Sequence, residues 1–137
     1  MITYPNGHSW KYGKIEARIK LPYGQGIWPA FWMLGNGIFE GTSWPGCGEI
    51  DIMEHVGYDP NVVHGSIHTK AYNHTIGTQK SSTIPVPTAQ TDFHKYAIKW
   101  FEDRIEFYVD DIFYFTFNNE NSGWEKWPFD KRFHLIL

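Results

Sequence analysis

Three carboxylates interleaved with apolar residues, in the run Glu-Ile-Asp-Ile-Met-Glu over residues 49–54, constrain the fold of this chain more than any other feature. Side chains of a β-strand alternate between its two faces, so Glu49 and Asp51 point one way while the isoleucines point the other. Regular alternation would put Glu54 on the apolar face, where a carboxylate is unfavourable. A β-bulge, with Met53 as the extra residue, would return Glu54 to the acidic face. The run therefore predicts a bulged strand with three acids on one face.

Crowded carboxylates raise one another's pKa, so one can stay protonated at neutral pH while another is ionised. Retaining glycoside hydrolysis needs such a pair, with the two carboxyl groups about 5–5.5 Å apart. Across a bulge, Glu49 and Glu54 lie roughly 13 Å apart between Cα atoms, a gap that two inward-leaning glutamate side chains largely close. From the residues alone, an acidic strand edge and a set of ligands for a hard cation remain alternatives.

The run 49–54 resembles the catalytic signature of glycoside hydrolase family 16 in its laminarinase-like, endo-β-1,3-glucanase form. The lichenase and xyloglucan-active members resemble a version without the extra methionine. The resemblance implies that Glu49 is the nucleophile, Glu54 the general acid/base and Asp51 an assisting carboxylate. It extends over nearly the whole chain, since four more segments are similar to strands of that family in the same order: residues 12–18, 26–34, 63–69 and 92–100.

The strand pattern and the resemblance agree on an all-β fold. Many short strands with turn signals between them, and no helical periodicity, predict an antiparallel β-sandwich. The predicted strands are residues 14–21, 27–34, 49–54, 62–69, 93–101, 104–109, 112–117 and 132–137. The resemblance specifies a concanavalin A-like jelly roll with a concave sugar-binding cleft. Because catalytic domains of that family are considerably longer, residues 1–137 are expected to be a truncated, partial catalytic domain with open sheet edges that favour aggregation.

The implied activity is endo-acting, retaining hydrolysis of β-1,3-glucosidic bonds in laminarin-type polysaccharides. Two alternatives stay open: a hydrolase of another polysaccharide, such as mixed-linkage β-glucan or a marine galactan, and a catalytically dead carbohydrate-binding fragment. Aromatic residues make up 18% of the chain, which exceeds the need of a core and suits stacking on sugar rings.

Three residues are predicted to bind the substrate. Given the resemblance, we expect Trp28 and Trp32 to face the cleft in part and to stack on glucosyl rings. His68 is expected to reach a bound sugar or a carboxylate from the strand beside the catalytic one. Without the resemblance, both tryptophans fit a strand that is buried on two faces, and a strand histidine is more often simply solvated or hydrogen-bonded.

We predict no metal site and no organic cofactor. Four histidines, at positions 55, 64, 68 and 74, lack the compact ligand spacing of a zinc site. Some relatives in the resembled family carry a structural calcium ion away from the cleft, and its ligands cannot be identified in this sequence. Cys47 is the only cysteine, so no intrachain disulfide forms, and we interpret it as a small buried residue rather than a nucleophile.

The formal net charge of −3 without blocks of one sign indicates neither nucleic acid nor a membrane surface as a partner. No run approaches the ~18 apolar residues of a membrane span. Residues 1–6 lack the features of a signal peptide. We expect a polysaccharide substrate as the partner, a monomeric state, and a secreted, cell-surface or periplasmic location for the full-length protein.

Overall fold

The structure, a computed structural model, describes residues 1–4 and 7–137. Its regular elements are nine β-strands and two short 3-10 helices, Asn36–Phe39 and His74–Ile76, all within those residues. The strands are β1 (Gly13–Ile19), β2 (Ala30–Gly35), β3 (Glu49–Glu54), β4 (Val62–His68), β5 (Lys80–Pro85), β6 (His94–Trp100), β7 (Arg104–Val109), β8 (Ile112–Asn118) and β9 (Phe133–Ile136). No helix in this described part is long and apolar enough to cross a membrane.

The strands form two antiparallel sheets that pack face to face. One sheet has four strands in the order β1-β6-β7-β8, and the other has five in the order β5-β4-β3-β2-β9. The predicted antiparallel β-sandwich is therefore confirmed. Strand β3 is the central strand of the five-stranded sheet, so the acidic run is held by neighbours on both sides.

The hydrophobic core lies between the sheets. Alternation along each strand places one apolar set inward, and the core includes the fully buried residues Phe31, Met33, Ile50, Ile67, Ile98, Trp100 and Phe107. The loop before β9 closes one end of the core, because the Trp100 indole donates a hydrogen bond to the carbonyl of Phe129 over 3.1 Å. The outward face of the five-stranded sheet remains for the polar residues.

The strand predictions held best where alternation and turn chemistry agreed. The predicted strand 104–109 is β7, and the predicted strand 112–117 is β8 with one further residue. Asp110 and Asp111 connect them with φ of 48° and 67°, as a tight two-residue hairpin requires. The polar segment 70–92 contains the edge strand β5, which pairs only with β4 among the described strands.

The predicted strand 27–34 begins later than expected, at Ala30. The residues before it pair with the chain that follows β3: Gly57 donates its N–H to Ile27 O over 3.1 Å, and His55 donates to Pro29 O over 3.2 Å. These contacts hold residues 26–29 as a loop beside the end of β3. Trp28 therefore lies in a loop rather than in a strand.

Candidate active site

The acidic run forms β3, and its pairing with β2 contains the predicted bulge. Trp32 lies opposite Asp51 and Phe31 lies opposite Met53, so Ile52 has no partner on β2. The prediction that Met53 is the extra residue is therefore wrong, since the register places it at Ile52. Both residues are apolar and only 1% exposed, so hydrophobicity does not distinguish them.

The pairing with β4 shows the result of the bulge. Glu49 lies opposite His68, and Glu54 lies opposite His64. The two glutamates are five residues apart on β3, whereas the two histidines are four residues apart on β4. Directly opposite residues share a face of the sheet, so Glu49, Asp51 and Glu54 point to the same side. The predicted arrangement of three acids on one face is what the register produces.

Glu49 is fixed by the residues that precede it. Gly48 has φ +84°, and a Cβ at that position would lie 2.7 Å from Pro128 and 2.8 Å from Phe133, so only glycine fits there. The Trp44 indole Nε1 donates a hydrogen bond to Glu49 Oε2 over 3.0 Å. The Glu49 side chain is 16% exposed, and the indole donor fixes the orientation of its carboxylate.

Asp51 is the most deeply buried of the three acids, at 4% exposure. Its Oδ2 lies 3.3 Å from His68 Nε2 without hydrogen-bond alignment, and His68 Nε2 is also 3.7 Å from Glu49 Oε1. In the part of the chain that the structure describes, neither Asp51 Oδ2 nor His68 Nδ1 has a hydrogen-bond partner. His68 therefore stands between the two carboxylates.

Glu54 lies at the other end of the bulge. The Trp28 indole Nε1 donates a hydrogen bond to Glu54 Oε1 over 2.8 Å, and the Trp28 side chain is one of the most exposed large apolar groups, at 69%. This leaves Glu54 Oε2 available to another partner. An exposed indole face beside a carboxylate also offers a stacking surface for a sugar ring.

Burial and crowding shift the protonation of the site. Burial first, and then the like charge of Asp51, raise the pKa of Glu49 from 4.5 to about 7, against the opposing effects of His68 and the Trp44 hydrogen bond. Burial and the charge of Glu54 raise the pKa of Asp51 well above 3.8. Burial lowers the pKa of His68 below 6.5, so its imidazole is neutral near pH 7. Because Asp51 is the most buried acid, we expect it to keep its proton when Glu49 is ionised.

The predicted substrate-binding residues lie around these acids. Trp32 is half-buried in β2 opposite Asp51, Trp28 contacts Glu54, and His68 contacts both Glu49 and Asp51. The structure brings all of them to the acidic face of β3. Whether they bind a sugar stays a prediction.

Trp44 and His74, at the Glu49 end of β3, were not predicted to belong to the site. Trp44 packs against the His74 ring with centroids 5.0 Å apart and against His68 at 6.0 Å. The only signal in the sequence was the Trp-Pro-Gly turn at residues 44–46, two residues before the acidic run. Residues 36–48 and the 3-10 helix at His74–Ile76 therefore form one wall beside Glu49.

The donor atoms of Glu49, Asp51 and His68 lie within 4.8 Å of one another, which makes this group a candidate holder of a metal ion among the described residues. Cys47, in contrast, is buried in the loop that precedes β3, and burial raises the pKa of its thiol to about 11. That is the environment of a structural thiol.

Two cavities of about 430 Å³ each lie away from the acids. One lies between the loop at Cys47 and the loop from Trp124 to Arg132, and the other lies beside Tyr12 and Trp100. Neither is lined by Glu49, Asp51 or Glu54. The three acids therefore lie on the face of the five-stranded sheet and outside both cavities.

Comparison with known proteins gives a consistent result. The family model described as glycosyl hydrolases family 16 matches residues 4–136. The chain is 55% identical over 135 residues to a beta-glucanase of Rhodothermus marinus, covering 94% of this chain and 47% of that protein.

Solved structures agree with the fold. The laminarinase of Rhodothermus marinus superposes with a TM-score of 0.92 at 53% identity, covering 96% of this chain and 55% of that one. A non-specific endo-β-1,3(4)-glucanase of the same family, crystallised with a gluco-oligosaccharide at its active site, superposes with a TM-score of 0.90 at 45% identity, covering 95% and 50%. The predicted jelly-roll fold is confirmed, and the chain spans about half the length of these relatives.

Proposed function

The chain belongs to glycosyl hydrolase family 16, and from this premise we propose that it carries the catalytic strand of an endo-acting β-glucan hydrolase. Its substrate is a laminarin-type polysaccharide, whose internal β-1,3-glucosidic bonds it hydrolyses with retention of anomeric configuration. The observation that carries the proposal is the bulged β3, which presents Glu49, Asp51 and Glu54 on one face with an indole donor on each outer glutamate.

The two outer glutamates divide the chemistry. Glu49 attacks the anomeric carbon while Glu54 gives its proton to the departing glycosidic oxygen, which leaves a glycosyl ester on Glu49. Glu54, now a carboxylate, removes a proton from water, and that water releases the sugar with the original configuration. The Trp28 N–H binds Oε1 of Glu54 and leaves Oε2 to serve the leaving oxygen.

Asp51 and His68 support the nucleophile. A proton kept on the buried Asp51 removes one negative charge beside Glu49, which favours ionisation of Glu49. The neutral His68 contacts both carboxylates without adding a charge. The Trp44 indole fixes the orientation of Glu49, so that its free Oε1 is the attacking atom.

We further propose that the reaction uses no cofactor, since two carboxylates and water supply every bond change written above. A polysaccharide is too large to enter a cell intact, which supports a secreted, cell-surface or periplasmic location for the full-length protein. The relatives named above act on β-glucans, which supports that class of substrate.

The test is reducing-sugar release from laminarin by this chain and by Glu49→Ala, with lichenan and agarose in parallel. We expect release from laminarin that Glu49→Ala abolishes. Sodium azide then assigns the role: removal of the nucleophile lets azide attack the anomeric carbon directly and gives an α-glycosyl azide from an activated β-glycoside.

Two results would change the conclusion. Faster release from lichenan or agarose than from laminarin would indicate the mixed-linkage or galactan alternative. No release from any polymer, by protein whose circular dichroism shows a folded β-structure, would indicate the carbohydrate-binding alternative.

A further inference from the structure

We propose that Glu49, Asp51 and His68 form a binding site for one zinc-class divalent cation, and that occupation of this site switches the hydrolase off. The inference rests on the proposed function, because it assigns an inhibitor to the same face of β3. The four histidines considered from the sequence contribute only His68 to this site, and the other ligands are the acids.

The separations of the donor atoms fit a small cation. Two ligands at 2.0–2.1 Å from a tetrahedral zinc ion lie about 3.3–3.4 Å apart. His68 Nε2 is 3.3 Å from Asp51 Oδ2 and 3.7 Å from Glu49 Oε1. One ligand atom from each of the three residues lies within 4.8 Å of the other two. Binding of the cation would release the Asp51 proton to solvent, because a ligating carboxylate is ionised, and would then draw both carboxylates to one centre.

A buried oxygen without a hydrogen-bond partner faces the proposed site. Asp51 is 4% exposed, and within residues 1–4 and 7–137 its Oδ2 accepts no hydrogen bond although it faces His68 Nε2. A buried polar atom without a partner is costly, and coordination to a cation satisfies it.

The surroundings decide which cations fit and how tightly. One imidazole with two carboxylates suits zinc, copper or nickel better than calcium or magnesium, which prefer ligand sets made of oxygen. Trp44 holds Glu49 Oε2 and so supports Glu49 as a ligand through its free Oε1. His68 Nδ1 lacks a partner in the described structure, so the site lacks the outer support of a permanent metal centre. The cation is therefore expected to bind reversibly.

Inhibition follows from the shared atom. Glu49 Oε1 is both the attacking oxygen of the proposed reaction and a ligand of the proposed site. A cation on that oxygen occupies the lone pair needed for attack and adds a positive charge beside the anomeric centre. Hydrolysis and metal binding are thus mutually exclusive.

The test is isothermal titration of the chain with zinc chloride in a buffer that does not chelate metals. We expect one zinc per chain, and a loss of affinity of at least about tenfold in His68→Gln. The matched control is His94→Gln, which removes another histidine paired with a carboxylate, since His94 Nδ1 lies 2.6 Å from Asp110 Oδ2. His94 has a single carboxylate partner rather than two, so its removal should leave the one-to-one isotherm unchanged.

A second measurement does not depend on the variants folding. Cobalt(II) added to the unmodified chain should give visible absorption bands of a four-coordinate nitrogen–oxygen site, and zinc should abolish them. Absence of a one-to-one isotherm, equal affinity in folded His68→Gln, or cobalt bands typical of the free hexahydrated ion would overturn the proposal.

Measurements of hydrolysis in the presence of zinc separate this inference from the proposed function. Saturating zinc should stop reducing-sugar release, and addition of a chelator should restore it. Undiminished hydrolysis with zinc bound would overturn the inhibitory role. A chain that binds zinc as described but hydrolyses no glucan would support the site and contradict only the proposed function.

Discussion

The two outer glutamates of β3 show how one residue type can be held in two different ways. Each accepts a hydrogen bond from an indole, but Trp44 beside Glu49 is half-buried among histidine rings, whereas Trp28 beside Glu54 is 69% exposed. The Glu49 end is therefore rigid, and the Glu54 end lies under a side chain that a substrate can displace. A nucleophile gains from a fixed orientation, while an acid/base must serve first a leaving oxygen and then water.

The strongest test of this difference replaces each glutamate by glutamine. Glu49→Gln should lower kcat/KM on laminarin by about 10⁴-fold or more, and an aryl laminaribioside with a good leaving group should not restore it. Glu54→Gln should cost about 10²–10⁴-fold on laminarin, because general acid catalysis is lost. The same variant should regain the glycosylation step on the activated aryl substrate, measured as the burst of released phenol. Equal behaviour of the two variants on that substrate would remove the assignment of roles.

The next test concerns the acid between them. Because Glu49 is protonated below about pH 7, the acidic limb of the kcat/KM profile should lie near that pH. Because Asp51 keeps its proton, Asp51→Asn replaces one neutral group by another, so the acidic limb should stay in place while kcat falls by about 10²-fold. A pH series from 4 to 9 measures both effects. A limb that moved to lower pH would show that Asp51 is ionised in the unmodified chain and raises the pKa of Glu49 through its charge.

The two indoles give a smaller effect and a sharper contrast. Trp44→Phe removes the N–H that lowers the pKa of Glu49, so the acidic limb should move to higher pH while kcat falls by about tenfold. Trp28→Phe keeps an aromatic face and loses only an exposed hydrogen bond, so we expect a loss of a few-fold in kcat/KM. Its acidic limb should stay where it is in the unmodified chain. If Trp28→Phe moved that limb as far as Trp44→Phe, the proposed difference between the two ends would not hold.

The smallest effect is on stability. Since the pKa of Glu49 is higher in the folded chain than its ordinary 4.5, the folded state binds that proton more tightly. The stabilisation is complete below about pH 4.5 and is lost as pH rises through about 7. Glu49→Gln should therefore raise the Tm by roughly 3–6 °C at pH 8.

The same comparison at pH 4 provides the control, because the unmodified chain is protonated there and the gain should disappear. The exposed Glu40→Gln should leave the Tm within about 1 °C at both pH values, as surface substitutions usually do. A gain for Glu49→Gln that did not depend on pH would indicate better packing instead of relief of a buried charge.

Much of this arrangement was predictable from the sequence where local pattern decides the structure. β7 and β8 were bounded to within one residue, because alternation and the Asp-Asp turn specify a hairpin. The bulge was predictable because a carboxylate on the core side is costly. Its position was not, since Ile52 and Met53 are equally apolar and only the partners on β2 and β4 fix the register.

The remaining contacts depend on where distant segments meet. Trp28 was expected to stack on sugars, and nothing local to it shows that its N–H reaches Glu54, 26 residues later. Trp44 was missed because its role depends on the path of residues 36–48, which Gly48 turns toward β3. Side-chain contacts across loops are tertiary facts, and the alternation of a strand carries no information about them.

The bulge in β3 also changes what a deletion would do. Loss of one residue from a strand normally inverts every side chain beyond it. Here Ile52 has no partner on β2. Between Asp51 and Glu54, β3 has two residues, whereas the facing segment of β4 has one. A chain one residue shorter at this point would pair without interruption on both sides and would still present three acids together. The pairing of this acidic strand therefore accommodates two lengths, and a change in length there can alter the spacing of the acids without disrupting the sheet.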